Sequence, residues 1–145
     1  MSGIVCAVRG GPDSQPTLQR AIRLARETHL PLFFLYVVNL EFLDRTASSR
    51  TYIISKEMAQ MGEFILLTAQ AQAEAHGIEA RGVVKHGRVT EEIAAFCREI
   101  GAVYLVIGQP QIQNEDSLFT ATRHQEFIER IENQTRAKVI LPEET

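Results

Sequence analysis

The sequence predicts an α/β fold in which one doubly wound parallel sheet carries helices on both faces. Three observations lead there. Short β-branched and apolar runs alternate with stretches whose apolar residues recur every three or four positions, the pattern of successive βαβ units. The run Leu30 to Leu40, LPLFFLYVVNL, is apolar on both of its alternating sets of positions, as a strand buried on both faces must be. Turn residues fall at the junctions: GGPDS at 10–14, Gly77 and Gly101.

The first strand is GIVCAV, Gly3 to Val8. Asp13 or Ser14 can start the first helix, Pro16 is tolerated in its first turn, and Leu18, Ala21, Ile22 and Ala25 give its helical spacing. Leu32 to Val38 is the second strand. After the irregular NLEFLDRTASSR, a helix from about Tyr52 to His76 presents Ile54, Met58, Met61, Ile65 and Thr68 as its inner stripe, with Gly77 as a left-handed cap. The third strand is Ile78 to Val84, and KHG turns the chain. Thr90 caps the third helix, with Glu91 and Glu92 in its first turn and Ile93, Phe96, Cys97 and Ile100 inward. Val103 to Ile107 is the fourth strand. The last helix, from about His124 to Thr135, turns Phe127, Ile128 and Ile131 inward, and Lys138 to Leu141 is the fifth strand. Residues 109–122 form a long irregular connection, the kind of segment that serves as a lid or stays unstructured.

The 145 residues make one domain, 1–145. Apolar residues at 45% and charged residues at 23% are those of a soluble globular chain. A net charge of -3 provides no field for capturing nucleic acid. A membrane-spanning helix needs roughly 20 apolar residues, and the longest apolar run is about half that. No basic segment leads into an apolar run at the N-terminus, so no signal peptide is expected. Cys6 and Cys97 match no C-x-x-C spacing and suit a reducing, cytoplasmic setting.

In doubly wound sheets ligands bind outside the carboxyl ends of the strands, where the strand order reverses. The positions to inspect are Arg9 to Asp13, Val37 to Asn39, Lys85 to Val89 and Gly108 onward. Gly10-Gly11-Pro12-Asp13-Ser14 could cradle a phosphate at a helix start. It lacks the P-loop Lys and the G-x-G-x-x-G spacing, and a plain strand-to-helix turn explains it. His29, His76, His86 and His124 share no metal-ligand spacing, so no metal is expected. Ser14 is explained as a helix cap, and no base can be set beside it. No catalytic residue is expected.

The segment HGRVTEEIAAFCREIGAVYLVIG, His86 to Gly108, resembles the universal stress protein family in its glycine, acidic helix start, Gly-Ala and strand ending in glycine. The opening IVCAVRGGPDSQPTLQRAIRLA is similar to that family's first strand, turn and helix. The resemblance implies a five-stranded parallel sheet ordered 3-2-1-4-5. It implies dimerisation through the last strand, here Lys138 to Leu141, whose free N–H and C=O groups can pair with a second copy. Some members of that family bind ATP. Their motif is a glycine, two residues, a glycine, nine residues, then a glycine and Ser or Thr, with an aspartate at the end of the first strand. Here Gly108 takes the first place, Gln111 the second, Ala121 the third and Thr122 the hydroxyl place. Arg9 stands where the aspartate would be, followed by Gly10 and Gly11; Val38 closes the second strand beside them.

The substitutions bear directly on phosphate binding. Glycine lets backbone N–H groups approach phosphate oxygens closely. Gln111 carries a side chain, and Pro110 has no N–H to offer. No Lys or Arg lies between Arg98 and Arg123, while Glu115 and Asp116 do. Those carboxylates repel a triphosphate unless a magnesium ion intervenes. Arg9 has two readings: it pairs with a local carboxylate such as Glu115 or Asp116 and fills the site, or it holds an anion. The expectation is a non-enzymatic regulatory or partner-binding homodimer that does not use the ATP loop and needs no cofactor. The alternative is an adenine-nucleotide sensor with slow or no hydrolysis.

Overall fold

The computed structural model describes residues 3–9, 14–39, 49–108 and 117–142. Five strands, β1 (Gly3–Ala7), β2 (Leu32–Asn39), β3 (Ala80–Gly87), β4 (Ala102–Val106) and β5 (Lys138–Ile140), alternate with four helices, α1 (Gln15–Thr28), α2 (Ser49–Ala75), α3 (Val89–Ile100) and α4 (Ser117–Gln134). The sheet order is β3-β2-β1-β4-β5, and every pairing is parallel.

Side-chain alternation along the strands divides the interior into two cores. Ile4, Cys6, Leu32, Phe34 and Val106 point to the face covered by α1 and α2, where Leu18, Ala21, Ile22, Ala25, Leu66 and Ala69 meet them. Val5, Leu35, Leu105 and Ile107 point the other way, against Ile93, Phe96 and Cys97 of α3 and Ile131 of α4. Phe34 and Leu35 are neighbours in β2 yet both are 0% exposed, so that strand is buried on both faces. The chain crosses from one face to the other after β3, and the strand order reverses between β1 and β4.

α1 begins at Ser14, whose side chain makes no capping bond, has Pro in its first turn, and ends at His29 in the left-handed region (φ 60°). α3 ends at Gly101, φ 66°, a conformation that is strained for any residue with a Cβ. Phe127 and Ile128 pack against the α3–α4 core as expected.

Four local expectations need correction. β3 runs three residues past Val84, so Lys85, His86 and Gly87 pair with Val37, Val38 and Asn39 rather than turning the chain. The N-cap of α3 is Arg88 without a side-chain capping bond, and Thr90 lies inside the helix. α4 starts at Ser117, seven residues before His124, so 117–122 are helical and not part of an irregular connection. On α2 the sheet-facing stripe is Gly62, Leu66, Ala69 and Ala73; Met61 (60% exposed) and Thr68 lie outside it.

That last displacement has a physical cause. α2 crosses β2 and β3 at two glycine notches. A Cβ on Gly62 would lie 2.7 Å from Tyr36 Cε1 and 2.9 Å from its Cγ, and one on Gly82 would lie 3.1 Å from Leu66 Cβ. Gln70 Nε2 donates to Ala80 O at 2.9 Å and ties the helix to the first residue of β3. Close approach selects the small residues for the sheet side, which leaves larger ones pointing outward.

Candidate functional site

The carboxyl ends of β1 and β4 lie side by side at the reversal. β1 is extended by Val8, whose N–H donates to Leu35 O at 2.9 Å, and β4 by Ile107, whose N–H donates to Ile140 O at 3.2 Å. Beyond them come Arg9, which is exposed, and Gly108, which is half-buried.

The first turn of α1 closes onto this place. A Cβ on Gly108 would lie 3.1 Å from Thr17 Oγ1 and 3.5 Å from Arg9 Nη2. Thr17 is 3% exposed. A side chain at 108 would press on Thr17, a packing reason for glycine there that operates without a phosphate. The guanidinium of Arg9 lies beside the same spot, at the mouth of the crevice. The sequence reading did not single out Thr17. Its position next to Leu18 reads as one more inward place on an amphipathic helix, and only the packing shows it facing Gly108.

Val38 is 0% exposed; it underlies the crevice rather than opening onto it. Its β3 neighbour is His86, which is exposed. Gly87 has φ 146° and packs against Glu92, whose Cγ is 3.1 Å from a Cβ placed there. Lys85 does not face the β1–β4 junction: its Nζ sits 5.7 Å above the Phe96 ring centroid and 3.7 Å from Glu99 Oε2. Phe96 in turn meets Phe33 edge-on at 5.9 Å.

Gly10, Gly11 and Gln111 lie outside the described residues, as do Pro110, Glu115 and Asp116. Ala121 and Thr122 are the fifth and sixth residues of α4; their side chains lie outside the description. In a helix beginning at Ser117 only the first four N–H groups lack an intrahelical acceptor. The N–H groups of Ala121 and Thr122 are thus used by the helix and not presented to a ligand.

Burial pushes both thiols up: Cys6 far above its ordinary value and Cys97 to about 12, with Arg98 opposing the shift at Cys97. Neither is a nucleophile at neutral pH. Among the described residues no group of three His, Cys, Asp or Glu side chains could hold a metal ion. Among the described residues no helix is long and apolar enough to cross a membrane.

The sequence model described as the universal stress protein family matches residues 1–121. No curated protein sequence matches the chain significantly. Solved structures of the same fold are similar over nearly the whole chain. A universal stress family protein from Burkholderia pseudomallei is 23% identical, with a TM-score of 0.68, covering 97% of this chain and 96% of its own. The universal stress protein UspA from Lactobacillus plantarum is 14% identical, with a TM-score of 0.78 over 98% and 97%. The universal stress protein from Archaeoglobus fulgidus in complex with dAMP is 20% identical, with a TM-score of 0.63 over 99% and 98%.

Proposed function

Because the chain belongs to the universal stress protein family, we propose that it acts as a regulatory, partner-binding module that does not hold ATP through the segment after β4. The observation that carries this reading is the occupancy of the space over Gly108 by Thr17 Oγ1 and Arg9 Nη2. Thr17 Oγ1 leaves no room for a phosphate oxygen on the side of Gly108 where a Cβ would stand. The helical placement of Ala121 and Thr122 supports the same reading. So does Arg9 itself, which stands where nucleotide-binding relatives carry an aspartate. Its work is regulation in a reducing cytoplasm, where the two free buried thiols persist.

Isothermal calorimetry with ATP is the test. The expected result is no saturable heat below about 1 mM nucleotide, an affinity no tighter than roughly -4 kcal/mol. Micromolar binding overturns the proposal. The second reading, an adenine-nucleotide sensor, is favoured by the exposed Arg9 guanidinium, which suits an anion, and by the dAMP complex of the Archaeoglobus relative. It requires micromolar ATP or dAMP binding that falls at least tenfold in Arg9→Ala.

We further propose a homodimer through β5. Ile140 O accepts from Ile107 on β4. By strand alternation, the N–H and C=O of Val139 then point away from β4, toward the open edge. There Glu132 Oε2 accepts from Val139 N–H at 3.2 Å. This carboxylate competes with a second copy for the one outward donor at the centre of the strand. Glu132→Ala leaves that donor open, and a net hydrogen bond contributes about 1 kcal/mol. Dimerisation is therefore expected to tighten roughly threefold to tenfold in sedimentation experiments. Unchanged or weaker self-association excludes β5 as the interface.

A further inference from the structure

We propose that the outer edge of β3 accepts an extended, acidic segment of a partner protein as a sixth strand of the sheet. Such a strand supplies the occupant that the partner-binding reading requires, and neither the crevice nor the β5 dimer takes part in holding it.

The two edges of the sheet are unlike. β5 is three residues long, and Glu132 Oε2 takes the N–H of Val139 at its centre. Short length and blocking side chains are ways in which natural edges are closed. β3 is eight residues long, and among the described residues it pairs on one side only, with β2. Alternate residues of an edge strand turn their N–H and C=O groups outward. Among the described residues one side-chain hydrogen bond reaches the backbone of β3, from Gln70 Nε2 to Ala80 O at its first residue. No proline interrupts the run from Arg81 to Gly87. β3 thus offers a long strand edge without the devices that close β5.

Charge identifies the occupant. Arg81, Val83 and Lys85 share the α3 side of the strand: Val83 packs with the α3 core, and Arg81 and Lys85 are in register with Phe33 and Val37 of that core. Ala80 and Val84 turn to the α2 side. β3 carries Arg81, Lys85 and no carboxylate, in a chain whose net charge is -3. Arg81 is exposed and has no ion-pair partner among the described residues. Lys85 lies 3.7 Å from Glu99 yet keeps 35% of its side chain exposed. A second copy of β3 is a poor occupant, because edge-to-edge pairing gathers the cations of both strands on one face, and like charges across a strand pair destabilise it. An acidic strand reverses that sign. Its carboxylates, on alternate residues, come opposite Arg81 and Lys85 while its backbone fills the edge. Its other residues turn to the α2 side. There Leu67, 65% exposed, stands one turn before Gln70 on the flank that reaches Ala80. The segment that fits is therefore acidic and apolar in alternation.

The probe is an end-capped, fluorophore-labelled hexapeptide of alternating Glu and Val, titrated with the full chain. Saturable anisotropy below about 1 mM protein is expected. The same peptide with every backbone nitrogen methylated keeps its charge but loses its donors, and should bind at least tenfold more weakly. Arg81→Glu/Lys85→Glu should weaken binding at least tenfold. Arg26→Glu/Arg136→Glu, the same change of charge at two exposed positions away from β3, should leave it unchanged. Absence of saturable binding overturns the proposal. Equal binding of the methylated peptide, or equal weakening by both double variants, means attraction by charge alone and also overturns it. A peptide that weakens self-association of the chain in sedimentation sits on β5, with the same consequence. Because the readout is peptide bound per chain, a chain that takes up ATP or stays monomeric leaves this test intact.

Discussion

Gly62→Ala is expected to destabilise the fold by about 1–2 kcal/mol, although it replaces glycine with the best helix former in the middle of a 27-residue helix. Helix propensity alone favours alanine by about 1 kcal/mol. Packing opposes it. The new methyl would lie 2.7 Å from Tyr36 Cε1 and inside contact of Cδ1 and Cγ as well. It meets the body of the ring, and the ring is wedged among the residues of the α1–α2 core. Overpacking of this kind costs about 1–3 kcal/mol, so the clash outweighs the propensity gain. For a chain of this length the melting temperature should fall by roughly 3–8 °C. The Tyr36→Leu background separates the two effects, since a smaller side chain vacates the notch. In that background Gly62→Ala should cost nothing or add stability. A native-background increase in melting temperature would show that α2 does not rest on β2 through this glycine.

Stability should fall steeply in alkali, and the two thiols are the reason. In the unfolded chain a cysteine loses its proton near pH 9, while in the folded chain burial holds Cys97 protonated to about 12 and Cys6 beyond that. Above pH 9 the unfolded state therefore binds fewer protons than the folded one, and unfolding is favoured. The stabilisation is complete below pH 9 and is lost as the pH climbs from 9 toward 12. The slope is roughly 1.4 kcal/mol per pH unit for each thiol that stays protonated. Over two pH units this is several kcal/mol, a large share of the ~5–15 kcal/mol that holds a domain of this kind together. Urea midpoints at pH 8, 9, 10 and 11 give the measurement, with Cys6→Ala/Cys97→Ala as the reference. The double variant should lose less stability than the native chain over that range. Equal slopes would mean that the two thiols are not desolvated in the fold.

The sheet was legible because its signal is local and repeated. Both sets of alternating positions in LFFLYVV are apolar, and Phe34 and Leu35 each fill a different core. The inner faces of α1 and α3 were legible for the same reason: each carries one apolar stripe, so nothing competes with it. α2 carries two. Hydrophobicity alone selects the stripe of Ile54, Met58, Met61, Ile65 and Thr68, of which Ile65 does pack on the core, but the approach of the helix to Tyr36 and Gly82 puts Gly62, Ala69 and Ala73 on the sheet side and leaves Met61 and Thr68 exposed. The end of β3 differs from the sequence reading because KHG, read as a turn, is carried on by pairing with β2, and α4 begins earlier, because 117–122, read as part of an irregular connection, are helical.

The crevice divides in the same way. Arg9 and Gly108 could be placed from the chain because each ends a strand, and strand ends at a reversal of order meet in space. What Gly108 is for could not be read there, since a glycine after a strand looks alike whether it receives a phosphate oxygen or a threonine. Residue type and periodicity alone settle which segments become strands and helices and which end of the sheet gathers the candidate site, because these depend on neighbours in the chain. The close packing of Thr17 on Gly108, the rotation of α2 and the Glu132 carboxylate on the edge of β5 exist only once distant segments are brought together, and those contacts decide which groups stay free to bind.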